Sequence, residues 1–457
     1  MPLTAAQSQT VDLFSKSFSG RIISSSTPAY ESERALHNGL VDRKPLLIAR
    51  CMGTADVADA VRLGADLGLE IAVRGGGHNV AGNASVNDGL MIDLSAMQGV
   101  SVDPASETAR VQGGATWRVF NRETQLHGLA TTGGVVSSTG VGGLTLGGGL
   151  GWLMPKYGMA LDNLLAAEVV TADGRVLRAS HDSNPDLFWA LRGGGGNFGV
   201  VTNFLFQLHP VGPLVYGGLL AYPFEKARDV LRFYREQCGS LPDEVMAFCG
   251  LVHAPDGSGA KLAALVVCHC GPLAEGEAAL RKFKAFGSPL MDAVGPISYV
   301  ALNGMLDDGF PKGALNYWKS SFLDRLGDDA IDALIDAFAA CPTPMASLLL
   351  EHFHGAVCRV PEDATAYPHR SESFNLAILG QWQSPADTDR CRDWVRTTYA
   401  ALAPSMAPRR YVNYMGDDET AKDVSSAYGA NLPRLRKIKS VYDPKNVFHL
   451  NQNISPG

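Results

Sequence analysis

Short apolar blocks separated by polar turns dominate the start of the chain. Leu46-Leu47-Ile48-Ala49-Arg50 reads as a buried strand, and Thr54-Ala55-Asp56 then opens a helix with an N-cap. Apolar positions at 57, 58, 61, 63 and 65 carry that helix to Gly68. Ile71-Ala72-Val73 follows as a second strand, which predicts a βαβ unit running straight into Arg74-Gly75-Gly76-Gly77-His78-Asn79. Leu90 to Leu94 and Ala109 to Gln112 read as further strands, and Thr116 to Leu126 as a helix.

The same pattern continues downstream. Asp186 to Arg192 forms a short amphipathic helix that leads into glycines, and Val200 to Phe206 alternates as a strand does. His209-Pro210-Val211-Gly212-Pro213 then breaks the pattern, which marks a domain boundary. Beyond it, Lys261 to Cys268 and Ser347 to His354 read as strands, with Phe224 to Gln237 and Asp328 to Ala339 as helices. This predicts an antiparallel sheet with helices on one face, and an α+β fold class throughout.

At 457 residues the chain exceeds one hydrophobic core, so two domains, or one carrying a large insertion, are expected. The formal net charge of −7 and the absence of any basic window speak against a nucleic-acid partner. No apolar stretch is long enough to span a membrane. Met1 to Gln7 has neither a basic nor an apolar leader-like run, and the 8 cysteines form no CxxC pair. Reduced thiols in a cytoplasmic protein are therefore the expectation. The 50 glycines change the picture more, because they crowd into patches at 75–89, 133–151 and 193–199. Such stretches let a ligand approach the backbone.

Gly194-Gly195-Gly196-Asn197-Phe198-Gly199 satisfies G-x-G-x-x-G literally, but a Rossmann site needs strand, loop, helix. Here the order is helix, loop, strand, and that reading is rejected. No glycine patch is followed by Lys and a hydroxyl residue, so a phosphate-hydrolysing P-loop is rejected as well. The patch from Gly133 to Gly151 offers many free backbone N–H groups, which suit a large, flat or phosphorylated ligand.

Arg74 to Asn79, this long patch, Lys156-Tyr157-Gly158 with Asp162-Asn163, and the run from Tyr428-Gly429 through Arg434, Tyr442-Asp443-Pro444 and Asn446 to Asn453 carry a resemblance. Together they resemble the berberine bridge enzyme-like flavoproteins of the vanillyl-alcohol oxidase (p-cresol methylhydroxylase-type, PCMH-type) superfamily, from about residue 40 to the C-terminus. The resemblance implies a bipartite FAD-binding domain made of residues 1–212 and 406–457, with an inserted substrate domain over 213–405. It implies flavin contacts from Arg74, Gly75, Gly76, Gly77, His78, Asn79, Gly82, Gly134, Val136, Thr139, Gly140, Gly142, Gly143, Gly147, Asp162, Gly199, Val200, Tyr411 and Asn413. His78 stands where the family's histidine bonds covalently to the flavin 8α-methyl group; read alone, it is a loop histidine bonded to backbone. Many relatives add a second bond from a cysteine, but that position here is Val136, which implies one covalent bond and a more enclosed site for a smaller or flatter substrate.

Tyr411-Val412-Asn413-Tyr414 is similar to the family's Y-x-N-Y element, whose second tyrosine serves as base in several oxidases. On a strand, Tyr411 and Asn413 would share one face and Val412 and Tyr414 the other. A phenol of pKa about 10 becomes a useful base only where a cation or the oxidised flavin lowers it. In Glu351-His352-Phe353-His354, either Glu351 with Phe353 or His352 with His354 would line a pocket, and no third ligand accompanies the histidines for a metal. The expected activity is an FAD-dependent oxidase passing a hydride from a small-molecule substrate carbon to flavin and then to dioxygen. Thr139, at the position tuning oxygen access in relatives, leans the same way. An oxygen-excluding dehydrogenase, or a flavoprotein without turnover serving as a binding protein, stands as the alternative.

Overall fold

Leu47–Arg50, Leu90–Asp93 and Ile71–Arg74 pair in parallel, with Arg21–Ile23 added antiparallel at one edge. In the computed structural model, which describes residues 4–457, the helix Thr54–Leu67 makes the crossover and buries Val57, Ala60, Val61 and Leu63. It stops at Gly68, whose φ of 65° favours glycine. Residues 1–3 of the opening segment lie outside the described residues. The predicted N-cap is corrected in one respect: Gly53 holds that position, and the Thr54 hydroxyl donates instead to Glu168 Oε1 at 2.6 Å.

A second sheet is antiparallel throughout, in the order Val100–Asp103, Thr108–Gln112, Val200–Gln207, Leu164–Val170, Val176–Ser180. The helix Pro185–Leu191 precedes the glycines at 193–199 and a strand follows them, the order expected from sequence. After Val211 the chain builds an eight-stranded antiparallel sheet in which Leu315–Leu323, Ser373–Trp382 and Ser347–Phe353 lie side by side.

Strand alternation gives that large sheet two different faces. Leu348, Leu350, Leu376 and Ile378 point to the helices Ala227–Cys238, Leu273–Ala285, Asp328–Ala339 and Thr388–Leu402 and form the largest core with them. Trp318, Leu349, Glu351, Ala377 and Leu379 point the other way, toward the glycine segments. The C-terminal helix Leu432–Tyr442 then returns to pack on Pro185–Leu191, and Leu435, Ile438 and Ile454 enter the core of the second sheet. No helix among the described residues is long and apolar enough to cross a membrane. All 8 cysteines are unbridged.

Candidate active site

The glycine segments and the bare face of the large sheet enclose one cavity of about 1730 Å³, its open mouth included. Gly75, Gly76 and Gly77 leave the strand Ile71–Arg74 along the cavity, beside the segment that holds Gly140, Gly142 and Gly143. The two glycine segments touch: a Cβ on Gly76 would lie 2.5 Å from Gly140 Cα, and one on Gly140 would lie 2.5 Å from Gly76 N. No side chain fits between them. The backbone there is bare because the fold brings two main chains into contact beside the cavity.

His78 lines the cavity and stacks on His37, with ring centroids 3.9 Å apart and planes at 19°. Burial, and then the neighbouring His37, push its pKa down from 6.5 to about 3, so the imidazole is neutral at pH 7. Its Nε2 is shielded from solvent and has no hydrogen-bond partner. It is a buried polar atom left without a partner in a residue of the cavity lining. Val136 lines the same cavity with an unreactive side chain.

Across the cavity, the Tyr414 hydroxyl donates to Glu351 Oε1 at 3.0 Å, and Asn375 Nδ2 donates to Oε2 at 2.6 Å. Burial lifts the Glu351 carboxyl from 4.5 to about 7 against both hydrogen bonds. Tyr414 is pushed well above 10, by burial and then by Glu351. Among the described residues that line the cavity there is no Lys or Arg to lower the Tyr414 pKa, and burial together with Glu351 favours the protonated phenol. The segment is not the strand expected from sequence, because Val412–Tyr414 forms a 3₁₀ turn. Tyr411, Asn413 and Tyr414 all line the cavity as a result. Tyr411 Oη accepts the Gly149 N–H at 2.9 Å, and Asn413 donates to Leu144 O at 2.9 Å, so this turn also fixes the glycine loop.

Gly134, Thr139, Gly199, Val200 and Asn79 line the cavity, whereas Arg74, Gly82, Gly147 and Asp162 are not among its lining residues. Arg74 turns away to form a buried pair with Asp93 at 2.6 Å. Gly82 packs on Val41, and Gly147 makes room for Asn413, whose Oδ1 would meet a Cβ there at 2.1 Å. Asp162 accepts two hydrogen bonds of 2.7 and 2.8 Å from Arg370, joining the two parts of the chain. His352 and His354 stack on each other at 4.6 Å, with His352 against Phe374 on the helix-covered side of the sheet. The strand's two-residue period thus gives the cavity to Glu351 and denies it to His352.

The chain matches two family descriptions, "FAD binding domain" over residues 45–180 and "Berberine and berberine like" over 410–455. It is 32% identical over 454 residues to the (R)-6-hydroxynicotine oxidase of Paenarthrobacter nicotinovorans, covering 96% of this chain and 97% of that one. An FAD-linked oxidoreductase of Dictyostelium discoideum is 31% identical over 453 residues, covering 98% and 97%. The chain belongs to the berberine bridge enzyme-like FAD-linked oxidoreductases. Its fold superposes on the crystal structure of the 6-hydroxy-D-nicotine oxidase of Arthrobacter nicotinovorans with a TM-score of 0.87, at 29% identity over 96% of this chain and 99% of that one. Chitooligosaccharide oxidase, at 23% identity and a TM-score of 0.85 over 99% and 100% of the two chains, shares the fold.

As a berberine bridge enzyme-like protein the chain takes FAD, and the cavity fits it: bare backbone on both rims and an unpartnered imidazole within. Several lining residues were not among the flavin contacts or catalytic candidates named from sequence. Gly195 and Gly196 come from the third glycine patch, Asn451 and Gln452 from the C-terminal tail, and Phe310 and Trp318 from the large sheet and the loop before it. The tail is tied down by Lys439, which donates to Asp443, Asn197 O and Phe448 O at 2.7, 2.6 and 2.9 Å in a fully buried cluster. The Asn446 to Asn453 run was a usable signal for it. Nothing local in sequence distinguishes Phe310 or Trp318 from packing residues.

Proposed function

We propose that this protein is an oxidase that holds FAD through a single covalent bond to His78 and dehydrogenates a small organic molecule. The observation that carries the reading is the Tyr414–Glu351 pair, placed in the cavity that also holds His78 and the glycine rims. FAD, when bound, supplies the hydride acceptor and the means of passing electrons on to dioxygen, giving hydrogen peroxide.

The protein's own part is positioning and proton transfer. A substrate O–H or N–H hydrogen-bonded to Tyr414 Oη gives its proton to that oxygen while the tyrosine's own proton moves to Glu351 Oε1, 3.0 Å away. The tyrosine ends as it began, and Glu351 holds the proton. A carboxyl of pKa about 7 suits this role, because it is partly ionised at neutral pH and still basic enough to accept. Asn375 keeps the second carboxylate oxygen in place. The glycine rims and the Asn451-Gln452 tail line the cofactor's side of the cavity. Its low imidazole pKa and unpartnered Nε2 support covalent attachment at His78, and Val136 supports the absence of a second bond.

Acid precipitation of the purified protein tests the attachment. Yellow colour is expected in the pellet, and colour found wholly in the supernatant refutes the bond. His78→Ala should move the colour to the supernatant. Peroxide formed in step with flavin reduction tests the oxidase reading, and reduction that needs an added dye without peroxide would make the protein a dehydrogenase.

A further inference from the structure

Behind the wall that Val80 and Trp318 give the flavin cavity lies a second, smaller cavity of about 660 Å³, its open mouth included. The same two residues line both spaces and form the partition between them. Asn38 holds that partition together: its Nδ2 donates to Val80 O and Asn316 O at 2.8 and 2.9 Å, and its Oδ1 accepts Asn316 N at 2.9 Å. The Trp318 indole N–H donates to Asn316 Oδ1 at 3.2 Å. On this floor, then, the polar groups satisfy one another.

The arginines above it are not satisfied in the same way. Arg43 and Arg392 both line the second cavity, whereas no Lys or Arg lines the first among the described residues. Arg43 spends its Nη1 on two main-chain carbonyls, Gly82 O and Ser85 O, at 2.9 and 2.8 Å. Arg392 lies over the Tyr317 ring, 5.1 Å from its centroid, with Nε shielded from solvent and without a hydrogen-bond partner. Its Nη2, on the same edge of the guanidinium, has Asp417 only at 3.9 Å, too far for a hydrogen bond. Other acids close by are committed elsewhere. Asp42 pairs with Arg34 at 2.7 Å, and Asp418 accepts from Tyr317 and Lys319 at 2.6 and 2.8 Å. Asp417 alone therefore faces two guanidinium groups, and positive charge is in excess.

An open Nε and Nη2 edge matches the two oxygens of a planar carboxylate, which accepts from both at once. A cation would meet both arginines, and a phosphate dianion brings more negative charge than the excess can balance. We infer that this cavity is a second binding site, separate from the flavin cavity, that takes a small monocarboxylate on Arg392 and Arg43 against the back of Trp318. Neither the oxidase reading nor the covalent bond enters into it. Because Trp318 and Val80 belong to both cavities, occupancy of the second site changes the surroundings of the first.

Titration of the flavin-loaded full chain with sodium propionate, at neutral pH and constant ionic strength, tests the site. Saturable heat in calorimetry is expected, together with a change in tryptophan fluorescence. Propionamide and propylammonium, the neutral and cationic counterparts, should bind at least about tenfold more weakly. Arg392→Gln and Arg43→Gln should each lose most of the preference for propionate over propionamide, and Arg392→Lys, which keeps the charge without the fork, should retain part of it. Trp318→Phe should keep the heat of binding and lose most of the fluorescence change, since Trp318 is the one tryptophan among the residues that line this cavity. Absence of saturation, equal or tighter binding of the amide or the ammonium, or tighter binding of inorganic phosphate overturns the proposal. So does an undiminished preference in Arg392→Gln or an undiminished fluorescence response in Trp318→Phe.

Discussion

Glu351 shows how much one buried side chain can carry. Desolvation favours its neutral form, and the hydrogen bonds from Asn375 and Tyr414 bring it back only to about 7. Flavin reduction should therefore accelerate as pH rises through about 7, where the carboxyl ionises. Stopped-flow measurements should find Glu351→Gln slower by about 10²- to 10⁴-fold with the pH dependence gone, and Tyr414→Phe slower by a smaller factor because the acceptor remains. The reverse order would return the role of base to Tyr414. The same carboxyl affects stability. Its folded pKa lies above its unfolded value of about 4.5, so its contribution is fully present below pH 4.5 and is lost as pH rises through about 7. Glu351→Gln stays neutral and escapes that loss. Denaturant titrations should show this variant gaining on the wild type between about pH 5 and pH 8, by up to about 3 kcal/mol. A gap that is constant with pH would show that Glu351 titrates normally.

At the scale of elements, backbone conformation decides which side chains meet. A strand over 411–414 would have sent Tyr411 and Tyr414 to opposite faces, whereas the 3₁₀ turn at Val412–Tyr414 gathers both at the cavity, with ring centroids 5.0 Å apart. Glycine acts in the opposite way, by leaving room. Because a Cβ on Gly76 would meet both Cα and N of Gly140 at 2.5 Å, only main-chain displacement can accommodate it. Gly76→Ala should weaken retention of flavin by about tenfold to a hundredfold, read as the ratio of flavin to protein absorbance after denaturation and dialysis. Full retention in a folded Gly76→Ala protein would mean that the close approach is not needed.

Over the whole molecule, polar clamps bind distant parts of the chain to the site. Asp162 to Arg370 joins segments 208 residues apart, and Asp307 accepts from Ser137 N at 2.7 Å and from Arg118 at 2.8 Å, holding the loop before Phe310 to the glycine patch. The Lys439–Asp443 pair is the most secluded of these, with both side chains fully buried, and it fixes the tail that brings Asn451 and Gln452 to the cavity. Lys439→Met removes one member and leaves a buried carboxylate with two unpaired carbonyls. The expected cost is about 3–5 kcal/mol in chemical unfolding, with a lower flavin content in the protein that folds. A loss under about 1 kcal/mol would show that the tail is held by its apolar contacts alone.

Local properties of the chain were legible without its fold. The βαβ unit, the rejection of a Rossmann site from the order around 193–199, the helices over a second sheet and the flavoprotein kinship all follow from periodicity, from glycine placement and from short motifs, which neighbouring residues determine among themselves. Tertiary structure decided what each candidate faces. His78 and Glu351 entered the cavity, while Arg74, Asp162 and His352 were taken by Asp93, Arg370 and Phe374. A two-residue strand period says that Glu351 and His352 part company but not which of them meets the cavity, and that depends on which face the helices cover. Tyr414 and Glu351 lie 63 residues apart, and Trp318 became a wall only through its register with Leu379. Such pairings are set by how sheets and loops pack across the chain, and no local pattern encodes them.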